Sequence, residues 1–130
     1  MNDHELAATL ATDAGRLLLQ VRAELSDAPA ADRKAQGDKR SHDFLMAQLA
    51  RARPADAVLS EEGADNLVRL DAARVWIVDP LDGTREFSEL DRDDWAVHVA
   101  LWEGGDLVAG AVALPGQGVT DMVRSGGTGA

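Results

Sequence analysis

The 130-residue chain has no cysteine, which excludes disulfides and thiolate metal sites alike. It has no apolar run approaching the length of a membrane span. It is short of basic residues: 13 Lys and Arg stand against 23 Asp and Glu, a net charge of −10, which argues against a nucleic-acid-binding surface. It has no secretory signal at its start, because Met1-Asn2-Asp3-His4-Glu5 is acidic and leads into an amphipathic pattern. It has no internal repeat. These absences fit a cytoplasmic protein with no membrane or nucleic-acid partner. The apolar fraction of 45% is ordinary for a globular protein and suffices for one domain, residues 1–130, with a real core. The acidic excess leaves room for a small anionic substrate, since bound metal ions invert the local field.

Leu6, Leu10, Ala14, Leu17, Val21 and Leu25 recur at helical spacing and predict a helix from about Asp3 to Leu25, capped by Asn2 with Glu5. Ser26 to Gly37 reads as a polar, alanine-rich connection. A second helix is expected from near Asp38, burying Phe44, Leu45, Leu49 and Ala52 and stopping before Pro54. Ala57 to Leu59 and Val75 to Val78 read as short buried strands, Trp95 to Trp102 as a longer one. Gly104-Gly105 makes a tight hairpin turn into Leu107 to Leu114; Pro115 to Gly118 turns again into Val119 to Val123. Helices first and a hairpin sheet later give an α+β class, two helices on a largely antiparallel sheet. The last strand is left as an edge, followed only by the small residues 125–130. Trp76, Trp95 and Trp102 are expected to anchor the core, and Glu89, Asp91, Asp93 and Asp94 to form a solvated loop. His98 reads as a packed or surface residue, and His4 and His42 as helical residues with no acid–base partner.

The chemistry lies in Trp76-Ile77-Val78-Asp79-Pro80-Leu81-Asp82-Gly83-Thr84 and in Glu61-Glu62 upstream. Two apolar strands each run straight into paired carboxylates. Four such groups repel one another unless a cation neutralises them, and hard divalent ions held by carboxylate and carbonyl oxygen are the usual solution. Glu61 and Asp79 are placed to bridge metal ions, with Asp82 as a further ligand. Pro80 fixes the backbone so that the Leu81 carbonyl and Asp82 face one cavity. Gly83 and Thr84 open a turn or helix whose N–H groups suit a phosphate. An EF-hand loop fails on spacing: counted from Asp79, the third position is Leu81 and the twelfth Leu90. A haloacid-dehalogenase nucleophile fails too, because its position holds Pro80. The expected chemistry is metal-assisted transfer of a phosphoryl group to water.

The Glu61-Glu62 pair, Trp76 and the DPLDGT run at 79–84 resemble the inositol monophosphatase superfamily from the first helix to the chain's end. The resemblance implies a Mg2+-dependent, lithium-sensitive phosphatase with a layered αβαβα fold. It implies metal ligation by Glu61, Asp79, Asp82 and the Leu81 carbonyl, with Glu62 helping to hold the water. It also implies that Asp38 and Thr84 activate that water, although Asp38 equally suits a helix N-cap. The lead-in Ala35-Gln36-Gly37-Asp38 departs from the family's Thr-x-x-Asp or Thr-x-Ala-Asp.

The continuation Arg85-Glu86-Phe87 resembles the 3′(2′),5′-bisphosphate nucleotidase branch, which removes the 3′-phosphate of 3′-phosphoadenosine 5′-phosphate, a by-product of sulfate activation. Arg85 becomes a candidate substrate contact alongside Gly83 and Thr84, or else a surface arginine beside Glu86. Inositol 1-phosphate and fructose 1,6-bisphosphate are the alternative substrates. The family's second signature, a Trp-Asp followed by small residues, is missing. The chain is therefore expected to be the N-terminal lobe of a protein that dimerises when intact, or a non-catalytic metal-binding or assembly module.

Overall fold

A computed structural model of the chain describes residues 1–60 and 73–124. Glu61 and Glu62, and the small-residue tail 125–130, lie outside the described residues. Helix α1 spans Asp3–Glu24, α2 Ala30–Ala52 and the short α3 Thr84–Ser88; strands β1 to β5 are Ala57–Ser60, Arg74–Asp82, Ala96–Glu103, Asp106–Leu114 and Val119–Arg124.

The start of α1 follows from capping. The Asn2 side chain accepts from the Glu5 N–H at 2.8 Å, and Asp3 and Glu5 sit in the positive first turn. Its buried stripe is Leu6, Leu10, Ala14, Leu18 and Val21, and the partly buried Leu17 and Leu25 pack against the same core. Helix α2 begins well before the expected Asp38: Ala30 follows Pro29, and the segment read as a connection is mostly helix. Its buried positions are Arg33, Gly37, Ser41, Leu45 and Leu49, one every four residues. The first three are not apolar, so hydrophobic periodicity becomes visible only halfway along the helix. Asp38 is consequently a helix-interior residue and not an N-cap.

The strands form one sheet in the order β1-β2-β3-β4-β5, parallel between β1 and β2 and antiparallel elsewhere. Two-residue periodicity sends Trp76 and Val78, Val97, Val99 and Leu101, and Ala109, Ala111 and Ala113 into one core with α1 and α2. Trp95 meets Phe87 edge to face, with ring centroids 5.0 Å apart. Trp102 falls on the alternate face of β3 and is 39% exposed, so it does not anchor the core as Trp76 and Trp95 do. The hairpin glycines behave as expected, with Gly104 and Gly105 both at positive φ between the paired Glu103 and Asp106. No helix among the described residues is long and apolar enough to cross a membrane.

Two arginines fasten the segment after β2 to the helices. Arg22 of α1 donates to the carbonyl oxygens of Phe87 at 2.9 Å, Arg92 and Glu89, and stacks over Phe87 and Trp95. The buried Arg33 of α2 donates to Ser88 O at 3.0 Å, Leu25 O at 3.0 Å and Ala28 O at 2.6 Å. Between them, α3 packs closely on α2: a β-carbon on Gly37 would lie 2.6 Å from the Phe87 ring.

A third arginine, Arg74, ties the opposite end of the sheet together through Asp3, Asp56 and Glu103, while Arg53 also reaches Asp3 at 3.0 Å. Partial burial alone would raise the Asp3 carboxyl, but hydrogen bonds from Arg53 and Arg74 outweigh it and hold Asp3 below its ordinary value of 3.8. A depressed folded-state value means stability that is present above 3.8 and is lost as pH falls through the lower folded value. We expect Asp3→Asn to lower the melting temperature at pH 6 and to have a smaller effect below pH 3, measured by thermal melts of both proteins across that range; a difference that stays constant with pH would remove Asp3 from the acid response.

Candidate metal centre

The parallel pairing of β1 with β2 sets Ser60, the last residue of β1, opposite Val78, one residue before Asp79. The neighbouring-strand arrangement expected from the sequence is therefore present, although Glu61 itself is not described. Strand β2 continues through Pro80 to Asp82, further than expected. It does so with a bulge. Asp79 pairs with His98 and Asp82 with Ala96, so three steps on β2 match two on β3. In a regular strand, residues three apart point to opposite faces. The extra residue turns Asp82 back toward Asp79.

The result is a compact donor set. One ligand atom each from Asp79, Asp82 and His98 lies within 4.8 Å of the others. Asp79 Oδ1 also accepts from the Leu81 N–H at 3.3 Å, which orients the carboxylate against its own strand. Asp82 Oδ2 lies 3.0 Å from His98 Nε2. His98, its side chain 41% exposed, is thus the surface residue expected, and its meeting with Asp82 at the candidate site is what the sequence reading did not foresee. Its signal was its place in β3, but the β2–β3 connection is too long for register to be read from sequence alone.

A second group adjoins the first. Gly83, at φ 86, makes the sharp turn from β2 into α3, and Thr84 is the first residue of that helix. The Thr84 hydroxyl lies 3.2 Å from Asp38 Oδ1 and 3.4 Å from Leu81 O. Asp38 and Thr84 are thus brought together from elements 46 residues apart. Ser41, one helical turn beyond Asp38, donates to Pro80 O at 2.7 Å and pins the bulge to α2. Asp38 also lines an open depression of about 360 Å3 with Ala35, Lys39 and His42. The His42 Nδ1 is 2.8 Å from the Ser60 hydroxyl at the end of β1, a hydrogen bond that ties α2 to that strand. A smaller pocket of about 200 Å3 between α1 and the β4–β5 turn includes none of these carboxylates in its lining.

Arg85 stands largely exposed and pairs with Glu89 at 3.3 Å, one turn on, rather than with its neighbour Glu86. Asp91, Asp93 and Asp94 are exposed, as expected of a solvated loop, and Glu89 is half-buried.

The two carboxylates of this group, with no sulfur near them, suit a hard divalent cation.

Comparison with known proteins agrees with this fold. The model of the Inositol monophosphatase family matches residues 3–129. A 3′-phosphoadenosine 5′-phosphate phosphatase of Mycobacterium leprae (strain TN) is 52% identical over 128 residues, 91% of this chain and 47% of that protein. The protein of the same description from Mycobacterium bovis is 53% identical over 124 residues, 88% of this chain and 46% of its own length. Among solved structures, a staphylococcal IMPase, SaIMPase-II bound to 2′-AMP, superposes with a TM-score of 0.80 at 27% identity, covering 95% of this chain and 45% of that one. The chain spans about half the length of the curated relatives it matches.

Proposed function

The chain belongs to the inositol monophosphatase family, and we propose that residues 1–130 form the metal-binding N-terminal lobe of a Mg2+-dependent phosphomonoester hydrolase that removes the 3′-phosphate of 3′-phosphoadenosine 5′-phosphate. The observation that carries this is the convergence of Asp79 and Asp82 beside the Asp38–Thr84 pair. The nucleotide substrate is supported by the mycobacterial relatives, which are 3′-phosphoadenosine 5′-phosphate phosphatases, and by the Arg85-Glu86-Phe87 continuation.

In this reading Asp79, Asp82, the Leu81 carbonyl and Glu61 hold Mg2+. When bound, the ion supplies charge neutralisation at the phosphate and lowers the pKa of an attacking water. The Thr84 hydroxyl donates to Asp38 and would accept from a water beside it, so Asp38 would orient the hydroxyl and take up a proton through it. Glu62 helps to hold the water. Gly83, Thr84 and Arg85 contact the substrate phosphates from the start of α3. The intact enzyme on this reading is a lithium-sensitive, cytoplasmic homodimer in sulfur metabolism.

The test is phosphate release by the full-length protein from 3′-phosphoadenosine 5′-phosphate, inositol 1-phosphate and fructose 1,6-bisphosphate, with Mg2+ and after chelation. We expect the nucleotide to be preferred by at least about tenfold, ~1.4 kcal/mol of transition-state discrimination, and turnover to vanish on chelation. Preference for a sugar phosphate would move the protein to another branch of the family. Turnover that survives chelation would remove the metal mechanism, and none with any substrate would leave a metal-binding or assembly module.

A further inference from the structure

His98 stands directly across the sheet from Asp79 and 3.0 Å from Asp82, on the face of β3 that α1 and α2 leave uncovered. An ionised carboxylate only accepts hydrogen bonds, so the contact requires the proton on His98 Nε2. The Asp82 side chain is 58% exposed, and a carboxylate that open has several rotamers to choose from. The backbone does not choose for it, because Asp82 lies just past the bulge. The imidazole does: it occupies Oδ2 and fixes the plane of the group.

We infer that His98 is a positioning residue of the metal centre, holding Asp82 Oδ2 so that its other oxygen is presented to the cation beside Asp79. The inference rests on the metal-centre reading of Asp79 and Asp82. Its physical basis is general, since hydrogen-bonded partners of ligating carboxylates set ligand orientation and their loss costs about 10- to 100-fold in metal affinity. The imidazole's place is fixed independently of the metal, by the pairing of β3 with both β2 and β4.

The experiment is direct titration of the full chain with Mn2+, read by the loss of the free-ion electron paramagnetic resonance signal. The variants are His98→Val, His98→Gln, which keeps an N–H donor at similar reach, and Asp79→Asn. Thermal melts establish that each is folded. We expect His98→Val to bind about 10- to 100-fold more weakly than wild type, with His98→Gln close to wild type. Wild-type affinity in His98→Val would overturn the inference. So would equal loss in folded His98→Gln and His98→Val, which would make the ring itself a ligand. If wild type binds no Mn2+, or Asp79→Asn binds as well as wild type, the metal-centre reading fails first and takes this inference with it; the two failures are therefore distinguishable.

Discussion

Asp79→Asn is expected to abolish divalent-cation binding and, on the function proposed above, to lower phosphate release from the full-length protein by about 10³-fold or more, with the fold unchanged. The estimate takes the cation's contribution to the transition state as roughly 4 kcal/mol, at about 1.4 kcal/mol per tenfold. The change is nearly isosteric. An asparagine keeps an oxygen that can accept the Leu81 N–H, so the local hydrogen bond that orients residue 79 survives. What it loses is one negative charge at the centre of the Asp79–Asp82–His98 group. Relieving like-charge repulsion should leave the metal-free protein as stable as wild type or slightly more so. The diagnostic result is thus a split: Mn2+ titration and turnover collapse while the melting temperature without metal holds or rises. Turnover within tenfold of wild type would show that Asp79 is not a ligand. A fall in melting temperature matching the loss of activity would make its role structural.

The second large effect is on stability. Arg33→Met is expected to destabilise the protein by roughly 3 kcal/mol, lowering the melting temperature by about 10 °C. Methionine replaces the stem but none of the donors. The Ser88, Leu25 and Ala28 carbonyls would lose the guanidinium within the protein, at about 1 kcal/mol each. Arg33→Lys should fall between the two, because one ammonium cannot span Ser88 on one side and the 25–28 turn on the other. Urea denaturation of the three proteins decides it. A Met variant within about 0.5 kcal/mol of wild type would show that water replaces the arginine without cost.

How much of this could be read beforehand depended on whether the signal was local. The Asn2 cap, the leucine stripe of α1 and the Gly104-Gly105 turn are set by neighbours in sequence, and all appear as expected. The carboxylates of the DPLDGT run were legible as a candidate site from residue type and spacing, and the structure brings Asp79 and Asp82 together. The first half of α2 was not, because its buried face is Arg33, Gly37 and Ser41. Each is buried for a reason lying elsewhere: the Ser88 carbonyl, the Phe87 ring and the Pro80 carbonyl. The bulge and His98 were hidden for a related reason. A period-two pattern puts Asp79 and Asp82 on opposite faces, and only the pairing with β3 shows the extra residue. Trp102 reads as core by composition, but its position in the alternation of β3 decides otherwise.

The arginine clamps on the segment after β2 have one more consequence. Arg22 and Arg33 grip Phe87, Ser88, Glu89 and Arg92 by their main-chain oxygens. Every amino acid carries that oxygen, so the grip is indifferent to which side chains the gripped residues display. Arg85, Glu86 and Glu89 can therefore be exchanged for other residues without releasing the turn that carries Gly83 and Thr84. The surface of this loop can thus be rewritten one residue at a time while the main-chain grip beneath it is kept.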